Sequence, residues 1–139
     1  MKISILLPYK ENFSPNYPGA VSLFVKDTTL LIKFKNSIKI FGNTGYKKKL
    51  LKNYINIKLQ KNIFQSNNKQ FVNNFIKIEK KINSEIIEIH NRPKYLNLIK
   101  DSTKAKIVLY FHNDPLTMQG SKTIQDRKNL LINSNKIIQ

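Results

Sequence analysis

The only two histidines of the chain, His90 and His112, end similar segments of the sequence. Each follows a short apolar run that is rich in β-branched and aromatic residues, within Glu85–Pro93 and Lys106–Pro115, and such runs are typical of strands buried on both faces. The asparagine and proline that come next end the strand. A neutral imidazole at a strand end can accept a proton or a hydrogen bond from a ligand hydroxyl. Alternatively, each imidazole caps a helix or bonds to a neighbouring loop.

Charged and polar residues beside the histidines also fit ligand binding. Arg92 comes just before a predicted helix, where it can clamp a phosphate or a carboxylate or form a surface ion pair. Asp114 can orient His112 or bind a hydroxyl, or it can be the turn residue before Pro115. Asn113 lies between them at a strand's carboxyl end, which is where ligands bind in open α/β sheets.

Several common kinds of site are excluded by residue type or spacing. The chain has no cysteine, so it has neither disulfides nor thiolate metal ligands. The two histidines lack the tight ligand spacing of a zinc site. The glycine patterns of dinucleotide and phosphate loops, and the Gly-x-Ser-x-Gly turn of hydrolases, are missing from the sequence. The sequence therefore predicts no metal ion and no cofactor.

Strand and helix patterns alternate along the 139 residues. Apolar runs predict strands over Lys2–Pro8, Ser37–Phe41, Tyr54–Leu59, Glu85–Ile89, Lys106–Phe111 and Lys136–Gln139. Three- and four-residue apolar spacings predict helices over Gly19–Lys33 and Asn68–Asn83, from Pro93 to Asp101 and from an N-cap at Ser121 to Asn133, with a short helix beginning at Leu50 and Leu51. This alternation predicts an α/β fold, with a Rossmann-like, open, mostly parallel sheet and helices on both faces.

The net charge is +17, and all but two of the 25 basic residues are lysine. Such a charge favours binding to nucleic acid or to an anionic membrane surface. Arginine is the preferred reader of bases and phosphates, so its scarcity argues against nucleic acid. The bias toward Lys, Asn and Ile that an AT-rich genome produces is a second explanation of the charge. No apolar stretch approaches the roughly 18 residues that a membrane-spanning helix needs.

Four segments together resemble the N-terminal domain of family-4 glycosyltransferases of the GT-B fold, a family that includes lipopolysaccharide and other cell-surface glycan enzymes. They are, in chain order, the loop Ser14–Val21 after the first strand, the segments Ile89–Pro93 and Tyr110–Pro115, and the helix Asp126–Leu131 with the following Ser134–Ile138. In order and spacing, the resemblance spans essentially the whole chain.

The resemblance implies transfer of a sugar from a nucleotide-sugar donor to a glycan or lipid-linked acceptor, usually with retention at the anomeric carbon. By position, His112 matches the histidine near the reacting sugar, and Gly19 matches the glycine loop that approaches the donor diphosphate. His90, Asn91 and Arg92 would lie by the acceptor. It also implies a cytoplasmic protein at the inner face of the membrane, held there by its lysine-rich surface.

Enzymes of this fold also need a second Rossmann-like domain that holds most of the donor, and residues 1–139 suit only the first, acceptor-side domain. We therefore expect these residues to lack transferase activity by themselves. The alternative prediction is a basic α/β module without catalytic activity that binds nucleic acid or another polyanion.

Overall fold

Six parallel strands form a single sheet in the computed structural model, which describes residues 1–60 and 64–139. In chain order the strands are β1 (Ile3–Leu6), β2 (Ile38–Gly42), β3 (Tyr54–Asn56), β4 (Ile86–His90), β5 (Lys106–Tyr110) and β6 (Lys136–Ile138). Their order across the sheet is β3-β2-β1-β4-β5-β6, and every neighbouring pair is parallel. The predicted Rossmann-like α/β fold is thus confirmed, and its sheet is wholly parallel.

Helices cover both faces of this sheet, as predicted. They are α1 (Ala20–Leu31), α2 (Asn67–Ile82), α3 (Lys94–Ile99) and α4 (Ile124–Asn133). One face packs against α1 in a core that contains Ile3, Ile5 and Val25. The other face packs against α2, α3 and α4 in a larger core that contains Phe71 and Leu130. This division follows from right-handed crossovers, because the chain moves from β1 to β2 in one direction and from β3 through β6 in the other.

The ends of α2 show why the sequence begins and ends a helix there. Ser66 is the N-cap, and its side-chain oxygen accepts a hydrogen bond from the backbone N–H of Lys69. Asn83 is the C-cap in a left-handed conformation with φ 53°, which asparagine adopts more readily than most other residues with a side chain. Buried side chains such as Phe71, Val72 and Phe75 lie between these caps.

Two local predictions were wrong. The N-cap of α4 is Thr123, which forms a capping box with Asp126, whereas the Ser121 hydroxyl donates to the carbonyls of Pro115 and Met118 in the turn before the helix. Leu50 and Leu51 begin no helix; they lie in the loop before β3 and pack their half-buried side chains against the α1-side core. In both places, contacts with other parts of the chain overrode the helix signal that the local sequence carries.

None of the helices in the described ranges is both long enough and apolar enough to span a membrane.

Candidate functional site

The carboxyl ends of β4 and β5 carry the predicted site residues on adjacent loops. The strand order reverses at the neighbouring β1–β4 pair, and ligands of open α/β sheets bind beside such a reversal. Asn91 joins the two loops, because its N–H donates to the Tyr110 carbonyl and its Oδ1 accepts from the His112 backbone N–H, each over 2.8 Å. It is buried and has a φ of 51°, a left-handed conformation in which asparagine is favoured. Asn91 therefore holds the two strand ends together.

The two histidines lie in direct contact on the α1 side of the sheet. His90 Nδ1 and His112 Nε2 are 2.8 Å apart, and His90 Nε2 lies 3.4 Å from Glu88 Oε2. The Tyr110 ring is parallel to the His90 ring, with 5.1 Å between centroids and 1° between planes. The edge-on Phe24 ring of α1 packs against His112 at 4.8 Å. His90 is 1% exposed and His112 is half-buried, so His112 is the ring of the pair that reaches solvent.

The environment of His112 keeps its imidazole neutral at physiological pH. Burial, and secondarily the charge of neighbouring His90, lowers the pKa of His112 from its ordinary value of 6.5 to about 4. A neutral imidazole has one nitrogen that donates and one that accepts a hydrogen bond. His112 is thus suited to hydrogen bonding with a neutral ligand group.

A cavity of about 520 Å³ opens on the other side of the Asn91–Arg92 loop. We call it the rim cavity; its lining includes Asn91 and Arg92 from the loop, the beginning of α2, and side chains on α3 and in the turn after β5. Its volume is in the range of small-molecule sites. Among the described residues that line it, Lys69, Arg92 and Lys94 are cationic and none carries a carboxylate. The rim cavity therefore suits a ligand that carries negative charge.

Polar contacts already order part of the rim cavity. The Tyr95 hydroxyl donates to Asn68 Oδ1 over 2.7 Å, which links α3 to the first turn of α2. Arg92 Nη1 donates to the Asn91 carbonyl over 2.8 Å, and Lys94 Nζ donates to Gln119 Oε1 over 3.1 Å. Arg92 also hydrogen-bonds the Tyr95 side chain, so its guanidinium is anchored to both the loop and α3 at the wall of the rim cavity.

The structure thus divides the predicted site residues into two groups. His90 and His112 form a pair under Phe24, whereas Arg92 lines the rim cavity and no histidine does. Asn91 belongs to both groups. Asp114 acts as the turn residue, since its Oδ1 accepts the Leu116 N–H over 2.9 Å. Asp114 and the neighbouring Asn113 are exposed at the end of the loop.

Gly19 lies directly before α1, where its lack of a side chain makes room for Glu11. The Glu11 carboxylate occupies the position that a Cβ on residue 19 would need, and its Oε1 accepts the Ser22 N–H over 3.0 Å. Glu11 therefore caps the first turn of α1 with a negative charge, which the helix dipole favours. A diphosphate bound there, as the resemblance implies, would have to displace this carboxylate.

We expect Gly19→Ala to lower the free energy of unfolding by about 1 kcal/mol, because the new methyl group would push Glu11 off the helix terminus. Urea unfolding followed by circular dichroism measures the change. Gly45→Ala is the matched control, since a Cβ at residue 45 meets no atom within 4 Å. Equal stability of the Gly19 variant and the wild-type protein would contradict the capping role of Glu11.

Sequence reasoning missed several residues of the site. Glu88 and Tyr110 stand two positions before the histidines, and two-residue alternation along a strand places each on the same face as its histidine. That signal was present in the sequence. Lys69 and Tyr95 carried no such signal, because their place in the rim cavity depends on how α2 and α3 pack together.

No protein-family model and no curated protein matches this chain. The likeness to family-4 glycosyltransferases therefore stays a prediction that depends on the four sequence segments.

Proposed function

We propose that this chain is the acceptor-binding domain of a retaining GT-B glycosyltransferase, which moves a sugar from a nucleotide-sugar to a cell-surface glycan or lipid-linked acceptor. In this proposal His112 lies nearest the reacting sugar. Arg92 and Asn91 lie by the acceptor. The donor nucleotide is held mainly by a second domain, so acceptor binding is the property to test on these 139 residues.

One observation carries the proposal furthest. The two segments with the strongest family likeness lie on adjacent strands, at the carboxyl ends and next to the reversal in strand order. Two hydrogen bonds of Asn91 connect them: its N–H donates to the Tyr110 carbonyl, and its Oδ1 accepts from the His112 N–H. The bond from the His112 N–H to Asn91 Oδ1 joins residues that are 21 positions apart in sequence. A strand-end loop pair of this kind is the usual place for a ligand in an open parallel sheet.

The positive charges of the rim cavity favour an acceptor that carries negative charge. A phosphate or carboxylate on the acceptor would meet Arg92 directly, and Lys69 and Lys94 would surround it with positive charge. The exposed lysines of the chain, part of the +17 net charge, would attract the same acceptor at an anionic membrane surface. We therefore propose a peripheral location on the cytoplasmic face, with a phosphorylated or otherwise anionic glycan as the acceptor.

Ligand-observed NMR with hexose glycosides, with and without a phosphate group, tests this function. We expect the wild-type chain to bind the phosphorylated glycosides and Arg92→Gln to weaken that binding by about tenfold or more, because a charge-assisted hydrogen bond is worth about 1.5–3 kcal/mol. Lys128→Gln is the matched control, since Lys128 is exposed on α4 and does not line the rim cavity. It removes the same charge and should leave the affinity unchanged.

The second candidate function is that of a polyanion-binding module, which the net charge of +17 favours. Under that function, heparin and single-stranded DNA would bind at least as well as the glycosides, and affinity would fall steeply with salt for every polyanion. Arg92→Gln and Lys128→Gln would then weaken binding equally. Absence of glycoside binding together with this pattern would reject the glycosyltransferase proposal.

A further inference from the structure

We propose that Glu88, His90 and His112 form a hydrogen-bonded relay that leaves His112 Nδ1 without a proton, as a hydrogen-bond acceptor for a ligand hydroxyl. Glu88 and His90 are positioning residues in this relay, because they act through His112. The relay depends only on the geometry of the three side chains. Its assignment to a sugar hydroxyl rests on the proposed function.

Strand geometry brings the three groups into line. Glu88 and His90 share one face of β4, and His90 is paired in register with Tyr110 on β5. The distances along the relay are 3.4 Å from Glu88 Oε2 to His90 Nε2 and 2.8 Å from His90 Nδ1 to His112 Nε2. Tyr110 stacks on both imidazoles, at 5.1 Å and 5.0 Å between centroids, and so favours the orientation in which they face each other.

The carboxylate at one end decides where the protons lie. An ionised Glu88 can only accept, so when His90 is neutral its proton lies on Nε2, facing the carboxylate. His90 Nδ1 then has a lone pair and accepts the proton that His112 carries on Nε2. A neutral imidazole has only one N–H, so His112 Nδ1 is the unprotonated nitrogen. The opposite assignment would place a lone pair of His90 against the negative Glu88.

His112 Nδ1 is available to a ligand. It makes no hydrogen bond with any of the residues in the described ranges. It is also not among the fully buried side-chain atoms that lack a partner there, which are Ser22 Oγ and Thr29 Oγ1. An unpaired nitrogen on this half-buried side chain is therefore in contact with solvent. A ligand hydroxyl at the strand end would replace that water and donate to Nδ1.

The relay needs a neutral His112, and the surroundings of the ring keep it neutral. Among the described residues, the titratable side chains in ring contact with His112 are His90 and Tyr110, and the ring that packs on it from α1 is the uncharged Phe24. With its pKa lowered to about 4, His112 carries a single N–H well below neutral pH. In His90→Gln one cause of this lowering is removed, so the pKa should rise toward, but not reach, its ordinary 6.5, since burial persists.

Long-range nitrogen-15 NMR of the histidine rings of the full chain tests the relay, because it distinguishes protonated from unprotonated ring nitrogens. For the wild-type protein at neutral pH we expect Nε2–H at both histidines and a free Nδ1 at His112. Glu88→Gln should raise the Nδ1-protonated fraction of His112 severalfold, since an amide can donate to His90 as well as accept. Tyr110→Phe is the matched control and should leave the tautomers unchanged, because the Tyr110 hydroxyl is not part of the relay.

A wild-type spectrum with the proton of His112 on Nδ1 overturns the proposal, and this result needs no variant that might fail to fold. Identical tautomers in the wild-type protein and folded Glu88→Gln overturn the role of Glu88. A methyl hexoside that shifts the His112 Nδ1 resonance supports the hydroxyl site, and one that binds without moving it overturns that site. If no glycoside binds, the glycosyltransferase function and the hydroxyl site both fail, whereas the wild-type spectrum still decides the relay.

Discussion

Replacing Glu79 by alanine is expected to lower the free energy of unfolding by about 3 kcal/mol. Glu79 is 4% exposed, and its carboxylate accepts hydrogen bonds from the Ser84 backbone N–H over 2.7 Å and from the Ser4 hydroxyl. These bonds join the end of α2 to the first strand of the sheet. Alanine would leave the buried N–H of Ser84 without this partner and remove the carboxylate to which the Ser4 hydroxyl donates. Each unsatisfied buried group costs about 1–3 kcal/mol.

Glu79→Gln separates hydrogen bonding from side-chain loss at this position. Its amide keeps an oxygen for Ser84 and has almost the same shape, so we expect a smaller loss of about 1 kcal/mol. Glu85→Gln is the surface control, because the Glu85 side chain is 65% exposed and its 3.5 Å ion pair with the N-terminal amine contributes little at the surface. Urea unfolding at neutral pH measures all three variants. A Glu79→Ala protein as stable as the Glu85 control would show that the buried carboxylate contributes nothing to the fold.

Phe75→Ala should be the most destabilising single truncation among those described, at about 4 kcal/mol. Phe75 is completely buried in α2, and its ring meets the Phe41 ring of β2 edge-on, with centroids 5.0 Å apart. Removing it would leave a cavity between helix and sheet that the rigid parallel strands cannot close. The expected signature is a lower urea midpoint with an unchanged m value.

Ile132→Ala is the control for this truncation, because Ile132 is 80% exposed on α4 and the change should stay within about 0.5 kcal/mol. A loss below about 2 kcal/mol for Phe75→Ala would contradict its place at the centre of the larger core. Thermal unfolding of both variants provides an independent measurement of the same difference.

Much of the fold was predictable because its signals are local. The strand β5 and the helix α2 follow directly from an apolar run and from a helical apolar spacing, and both lie within a residue or two of their predicted bounds. Parallel pairing also followed, since helices between strands require crossovers. The prediction was wrong at Leu50 and at Ser121, where short segments carry weak local preferences that contacts elsewhere in the chain override.

The site was only partly predictable, because a strand end is a local feature and a cavity is not. The carboxyl-end positions of His90 and His112 could be placed from the prolines that follow them. Their mutual contact could not, since it depends on the register of β4 against β5. The same applies to the Glu11 carboxylate beside Gly19, which is brought there by the fold of the loop between β1 and α1.

By itself, the sequence determined the order of the strands and of the helices α1 to α4, the sheet edge at which the histidines lie and the surplus of positive charge, because each depends on residue types and short spacings. Only the tertiary structure decided that His90 and His112 share a hydrogen bond, that Glu88 stands behind them, and that Arg92 faces a separate cavity. These facts depend on distances of a few ångströms between segments far apart in the chain, which register and packing determine.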